Sequence, residues 1–214
     1  VVSKKTNRPA AERFLFIGGR LCVDFANTVY APGSPGGRLG GFDDVVAFLE
    51  GAGAVHEREG RRLRALARAS PRWGATAFAR ALALRDVLRA LLAALVAREP
   101  VHRQWVELLN EILRSELGYP QLVAREGGWS LAPVTSREDP LAALAPVARS
   151  AAELIEEGPG VPLRKCASPT CVLYFYDASR TGKRRWCSMA VCGNRAKVAA
   201  HARRGRRRTN RAAG

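Results

Sequence analysis

The chain has 214 residues, 47% of them hydrophobic and 25% charged, with a formal net charge of +16. That apolar share is a globular protein's and excludes a wholly disordered chain. No apolar run reaches the ~18 residues that cross a bilayer, so no membrane-spanning helix is expected.

The charge is uneven. Residues 164–214 hold fourteen Lys or Arg against one acid, Asp177, which makes that segment +13 and leaves +3 for residues 1–163. The first part reads as a balanced globular domain. The last part is a polycation, and nucleic acid is the polyanion it would most commonly meet in a cytosol. Five cysteines and no secretory leader pattern argue against a disulfide scaffold.

Residues 1–13 read as a flexible polar arm. Phe14–Ile17 then enters a core, and Gly18-Gly19 makes a turn. Residues 20–30 show apolar residues at helical spacing, with Asp24 and Asn27 three apart on one face. Thr28 and Asn27 suit a helix end. Cys22, alone among apolar residues, reads as a buried small side chain. Residues 31–41 are rich in Gly and Pro and form a loop, a possible lid, which carries Arg38. The loop lacks the Lys-Ser/Thr ending of a phosphate-binding P-loop.

Asp43 or Asp44 can cap a helix that ends at Gly51. Further helices are expected over 57–69, 76–98 and 101–117, with a break at Ser70–Ala75. Alternating apolar residues on either side of Gly127-Gly128 predict a β-hairpin over 121–134. A last helix starts within Ser136–Pro140, with Asp139 as its cap and a stripe from Leu141 to Ile155. So residues 14–157 are mainly α with one hairpin, and 158–163 form a linker. His56, His102 and His201 are isolated, and no carboxylate, Ser-His or Cys-His pairing suggests an active site. The expectation is a protein that is not an enzyme and has no catalytic residues.

Four cysteines lie in the basic segment: Cys166, Cys171, Cys187 and Cys192. Two C-x4-C pairs supply two edges of a tetrahedron, which suits Zn²⁺. An iron–sulfur cluster is the competing reading of four thiolates. Four protein ligands leave no open position, so one structural Zn²⁺ per chain is expected, and no chemistry at the metal. Residues 164–204 should form a small ββα module, treble-clef-like or ribbon-like. Its strands would run through Val172–Tyr176 and Lys183–Trp186, and its helix over about 194–204. Tyr174 and Trp186 should pack on the metal core. The helix and its surroundings display Arg184, Arg185, Asn194, Arg195, Lys197, Arg203 and Arg204, and the tail over 205–214 adds Arg206, Arg207 and Arg208. Guanidinium forks hold phosphates or guanine edges, and Asn pairs with adenine.

Arg185-Trp186-Cys187-Ser188-Met189 and Cys192-Gly193-Asn194-Arg195 resemble the signature of the CGNR zinc-finger family. The G-x-L-x-x-D-x-x-N-T string from Gly19 to Thr28 is similar, more loosely, to the start of an ABATE-type domain. The resemblance implies a bacterial, stress-linked transcription regulator with an N-terminal ABATE-type domain and a C-terminal zinc finger. It also implies a ligand pocket near Asn27 and Thr28, with Asp24 and Arg38 as further candidates. The function expected is DNA binding by the finger, with the helical domain sensing a small-molecule effector. Such a protein would be cytoplasmic and nucleoid-associated, away from membranes, and possible as a homodimer over two half-sites. Two rival classes are an RNA-binding or ribosome-associated protein and an enzyme that carries a structural zinc module.

Overall fold

The computed structural model describes residues 13–29, 37–116, 119–125, 128–134 and 139–202. The expected arm before residue 13, most of the glycine-rich loop and the basic tail lie outside the described residues.

The N-terminal part is built around α1, Leu21–Ala26, buried from Cys22 onward. Six residues are too few to hold a helix in water. Enclosure holds it instead: Cys22, Val23, Phe25 and Ala26 are wholly buried. Asn27–Val29 continues it as a 3-10 turn. Around it pack α2 (Phe42–Gly51), α3 (Glu57–Ala69), α4 (Pro71–Ala97), α5 (Arg103–Glu116) and α6 (Ala145–Glu156). α4 and α6 touch α1 directly; α2 and α3 lean on α4, and α5 on α6. Phe48 of α2 meets Phe25 and Phe14 edge-on, at centroid distances of 5.2 and 5.3 Å, a favoured ring geometry. Arg64 forks onto Glu50 at 2.8 and 2.7 Å, tying α3 to α2.

α2 starts at Phe42 behind Gly41, so the expected caps Asp43 and Asp44 lie inside its first turn, and two further boundaries differ by more from the sequence reading. α4 begins at Pro71, several residues earlier than expected. Ser70 is its cap, accepting from the Trp73 amide at 3.3 Å, and Pro71 takes the first position, where no amide hydrogen is needed. What reads as a break is therefore a helix start. α6 begins later than expected: Asp139 accepts from the Leu141 amide at 2.8 Å, and a 3-10 turn, Ala142–Leu144, comes first. The hairpin forms as expected, β1 (Tyr119–Arg125) against β2 (Gly128–Val134), antiparallel, with Arg125 opposite Gly128.

The C-terminal sheet is β3 (Leu163–Lys165) antiparallel to β4 (Tyr174–Tyr176). The expected strand at Lys183–Trp186 does not form; β4 takes its partner from before the first cysteine. Asp177 explains this. Its buried carboxylate accepts from the Ser179 and Arg184 amides at 3.1 and 3.0 Å and from Arg164 Nε at 3.1 Å. These bonds fold 177–184 into a loop and leave no ladder. The carboxylate sits below its usual pKa range, chiefly because the Ser179 hydroxyl donates to it.

Two cores share β4. Leu173 and Phe175 face the four cysteines, whereas Tyr174 joins the helical core and Tyr176 packs against it. The expectation for Tyr174 is thus corrected, while Trp186 does pack on the metal core. Segment 14–17 alternates in the same way. Phe14 and Phe16 face the helices, and Leu15 and Ile17 face the cysteines. A period of two is what lets one extended segment serve two faces. The Tyr176 amide donates to Gly18 O at 2.7 Å, which joins the two segments.

Candidate metal centre

The first cysteine pair sits on a tight knuckle after β3. The Cys166 amide donates to Leu173 O at 2.9 Å and the Cys171 amide to Ser168 O at 3.0 Å. In the second pair, Cys187 precedes a π-type turn, Met189–Gly193, that carries Cys192, and a helix, α7, runs on over 194–202. Gly193 sits close beneath Met189 and Trp186, so a larger residue would push the flexible, exposed Met189 side chain aside. A Cβ there would stand 2.6 Å from Met189 Sδ and 3.3 Å from the Trp186 ring.

All four cysteines are buried and free, and their sulfurs lie within 4.8 Å of one another. Cys187 Sγ is 3.7 Å from Cys171 Sγ and 3.6 Å from Cys192 Sγ. A disulfide would need about 2.05 Å. Four thiolates at about 2.3 Å from a central zinc would stand about 3.8 Å apart, so these spacings fit zinc. The Cys187 amide also points at Cys166 Sγ, at 3.4 Å, an outer bond that steadies a metal ligand. Burial raises the Cys171 thiol to about 11 and lifts Cys187 further. Burial also acts to raise Cys166, but the Cys187 and Ser168 amides outweigh it and bring that thiol below its ordinary value. A bound cation reverses burial's effect, because it takes the thiolate form.

The basic residues around the metal separate into two groups. Arg184 faces inward. Its guanidinium lies 4.3 Å from the Phe175 ring centroid and donates to the carbonyls of Trp186 (3.0 Å), Ile17 (3.3 Å) and Cys187. It braces the module while still lining the open hollows beside it. Asn194 Nδ2 donates to Ala190 O at 3.3 Å and steadies the start of α7. Arg185, Arg195 and Lys197 are exposed, and Arg185 stacks over Trp186 at 5.2 Å. Arg203, Arg204, Arg206, Arg207 and Arg208 lie outside the described residues.

Residues 163–205 match the CGNR zinc finger. Residues 19–158, more than half of the chain, match ABATE, described as "Putative stress-induced transcription regulator". The chain belongs to the ABATE family. Its C-terminal module is a CGNR zinc finger, and the four cysteines are the site of one structural Zn²⁺. Neither description names a reaction. No curated protein matches the chain. No described helix is long and apolar enough to cross a membrane.

The ABATE string at Gly19–Thr28 turns out to be a clasp. Asn27 is buried and pairs with both backbone groups of Tyr174: Nδ2 donates to the carbonyl at 2.8 Å, and Oδ1 accepts from the amide at 3.0 Å. It acts as one rung of a β-ladder between the ABATE helices and the finger. Thr28 Oγ1 donates to Phe25 O at 2.7 Å and closes α1. Asp24 accepts from the Gly18 amide at 2.7 Å. Arg38 bonds Thr28 O through its amide at 2.8 Å and Arg13 O through its side chain. These four residues, which the resemblance places at a pocket, all have protein partners. Three more contacts complete the clasp. Arg20 lies over Tyr176 at 4.6 Å and pairs with Glu157. Arg89 lies 5.5 Å from the Tyr174 ring. Sequence reading missed all of these, since each joins residues far apart in the chain.

Asp24 carries a pH prediction. Burial pushes its carboxyl from 3.8 to about 6, against the pull of the Gly18 and Ile17 amides. Between those values the unfolded chain ionises Asp24 while the folded chain keeps it protonated. The stability it contributes is therefore present below pH 3.8 and is lost as the pH rises through 6, about 3 kcal/mol as an upper figure. Asp24→Asn keeps the acceptor and removes this loss. Urea denaturation at a series of pH values should show the variant gaining on wild type between pH 4 and 7. Parallel curves would contradict the assignment.

Proposed function

We propose that the protein is a DNA-binding transcription regulator whose CGNR finger makes the DNA contact. One observation carries the reading. α7 buries almost nothing: from Asn194 to Ala202 only Ala196 is even half-buried. A helix that packs on nothing is not there to build a core. Here the zinc site anchors its N-terminal end. Arg195 and Lys197 on it, and Arg185 beside it, make no ion pair among the described residues. A rigid, exposed, basic helix suits a major groove, with arginines on phosphates or guanine edges.

The ABATE unit would sense a small molecule or a partner, and two copies would span two half-sites. The same reading divides the chain into an arm to residue 13, the ABATE unit to 157, a linker to 163, the finger to 204 and a basic tail. It places the protein on the cytoplasmic nucleoid.

Binding of labelled duplex DNA and structured RNA across a salt series tests this. The expected result is tighter binding to duplex, with log K falling linearly in log salt at about 0.9 per phosphate contacted. A preference for RNA, or no duplex binding at 50 mM salt, would overturn it.

A further inference from the structure

We infer that the cleft between the ABATE helices and the finger is a phosphate track, so that DNA held by the finger is also gripped by Arg98 of the helical unit. The inference rests on the finger binding DNA.

The cleft encloses about 510 Å³ between the C-terminal end of α4, the linker and β3. Arg98, Arg164, Lys165, Arg184 and Arg185 line it, and no acid does. Arg164 is paired with Asp177, and Arg184 is held by carbonyls, which fixes its place without cancelling its charge. Arg98, Lys165 and Arg185 are exposed and have no acidic partner among the described residues. A hollow with this lining concentrates positive potential and attracts anions.

Arg98 stands in an unusual conformation. It follows the last turn of α4 at φ 59° and ψ 33°, and among the described residues it is the only non-glycine with positive φ. Glycine or asparagine commonly fills this position, because a side chain there meets its own backbone. Helix termination alone gives no reason for arginine. A guanidinium at the mouth of the cleft does.

Continuity favours an extended polyanion over a small one. Arg185 lines this cleft, a second hollow with Lys183 and Met189, and a third with Arg195 and Ala199 of α7. Arg185 thus borders all three hollows, and basic residues line the surface from α7 to the end of α4. A nucleic-acid backbone can follow all of it, whereas a small anion would occupy one hollow.

Arg98→Gly tests this cleanly, since glycine suits the left-handed position and the fold should be kept, with an unchanged or higher Tm. Duplex DNA should bind about three- to tenfold more weakly, and the salt slope should fall by about one. Lys165→Ala should behave alike, and Arg195→Ala on α7 serves as the comparison. If Arg98→Gly and Lys165→Ala bind like wild type while Arg195→Ala is weakened, the track is refuted and the finger's role stands. If wild type itself does not bind duplex, the underlying reading falls and the track with it.

Discussion

Replacing Cys187 with serine is expected to release the zinc and unfold the finger. Cys187 Sγ lies 3.7 Å from Cys171 Sγ and 3.6 Å from Cys192 Sγ, so its loss removes one corner of the tetrahedron and the three edges that meet there. Little else holds the module. Beyond the cysteines its core is Leu173 and Phe175, with Leu15, Ile17 and Trp186 packed against them. Structural zinc contributes about 10–16 kcal/mol in small fingers at neutral pH, more than so small a core can replace. Metal analysis should fall from about one zinc per chain to near none. Amide exchange should then speed up through 163–195 while α4 stays protected. Full zinc retention would refute the four-sulfur assignment.

Asn27→Ala should cost about 2–6 kcal/mol, the loss from leaving the Tyr174 amide and carbonyl buried and unpaired at roughly 1–3 kcal/mol each. The site is closed to water: Asn27 is 2% and Tyr174 5% exposed. Asn27→Asp is expected to be no better at neutral pH. A carboxylate still accepts from the amide but faces the Tyr174 carbonyl oxygen with no hydrogen to offer. Because β4 carries Phe175 into the metal core, both variants should also give up zinc to a chelator faster. Urea denaturation together with chelator kinetics reads both effects. A change below about 0.5 kcal/mol would mean that water replaces the amide, and the clasp would be dismissed.

The parts of this fold that local chemistry determines were legible in the sequence. Helical spacing marked α2 to α5, Gly127-Gly128 marked the hairpin, and the C-x4-C pairs marked the metal site. Ser70-Pro71 was ambiguous because proline both ends and begins helices, and only the Trp73 amide on Ser70 decides between them. What stayed hidden was pairing at a distance. Arg184 lies in a basic run, yet its neighbours Ile17 and Phe175 come from elsewhere in the chain and turn it inward. Asn27 lies 147 residues from Tyr174, and no local pattern reports that. The double alternation of segment 14–17 and β4 was hidden for a related reason. Both faces of each are covered, so the apolar residues run together and lose the two-residue signature of a half-buried strand.

On the proposed function, zinc holds α7 in place and offers it to DNA. Labelled duplex DNA can be titrated with zinc-loaded protein, with chelated protein and with chelated protein given zinc again, at one fixed salt concentration. Chelation should lower affinity ten- to hundredfold, leaving the salt-sensitive grip of the basic tail, and zinc should restore it fully. Equal affinities with and without the metal would contradict the proposed function.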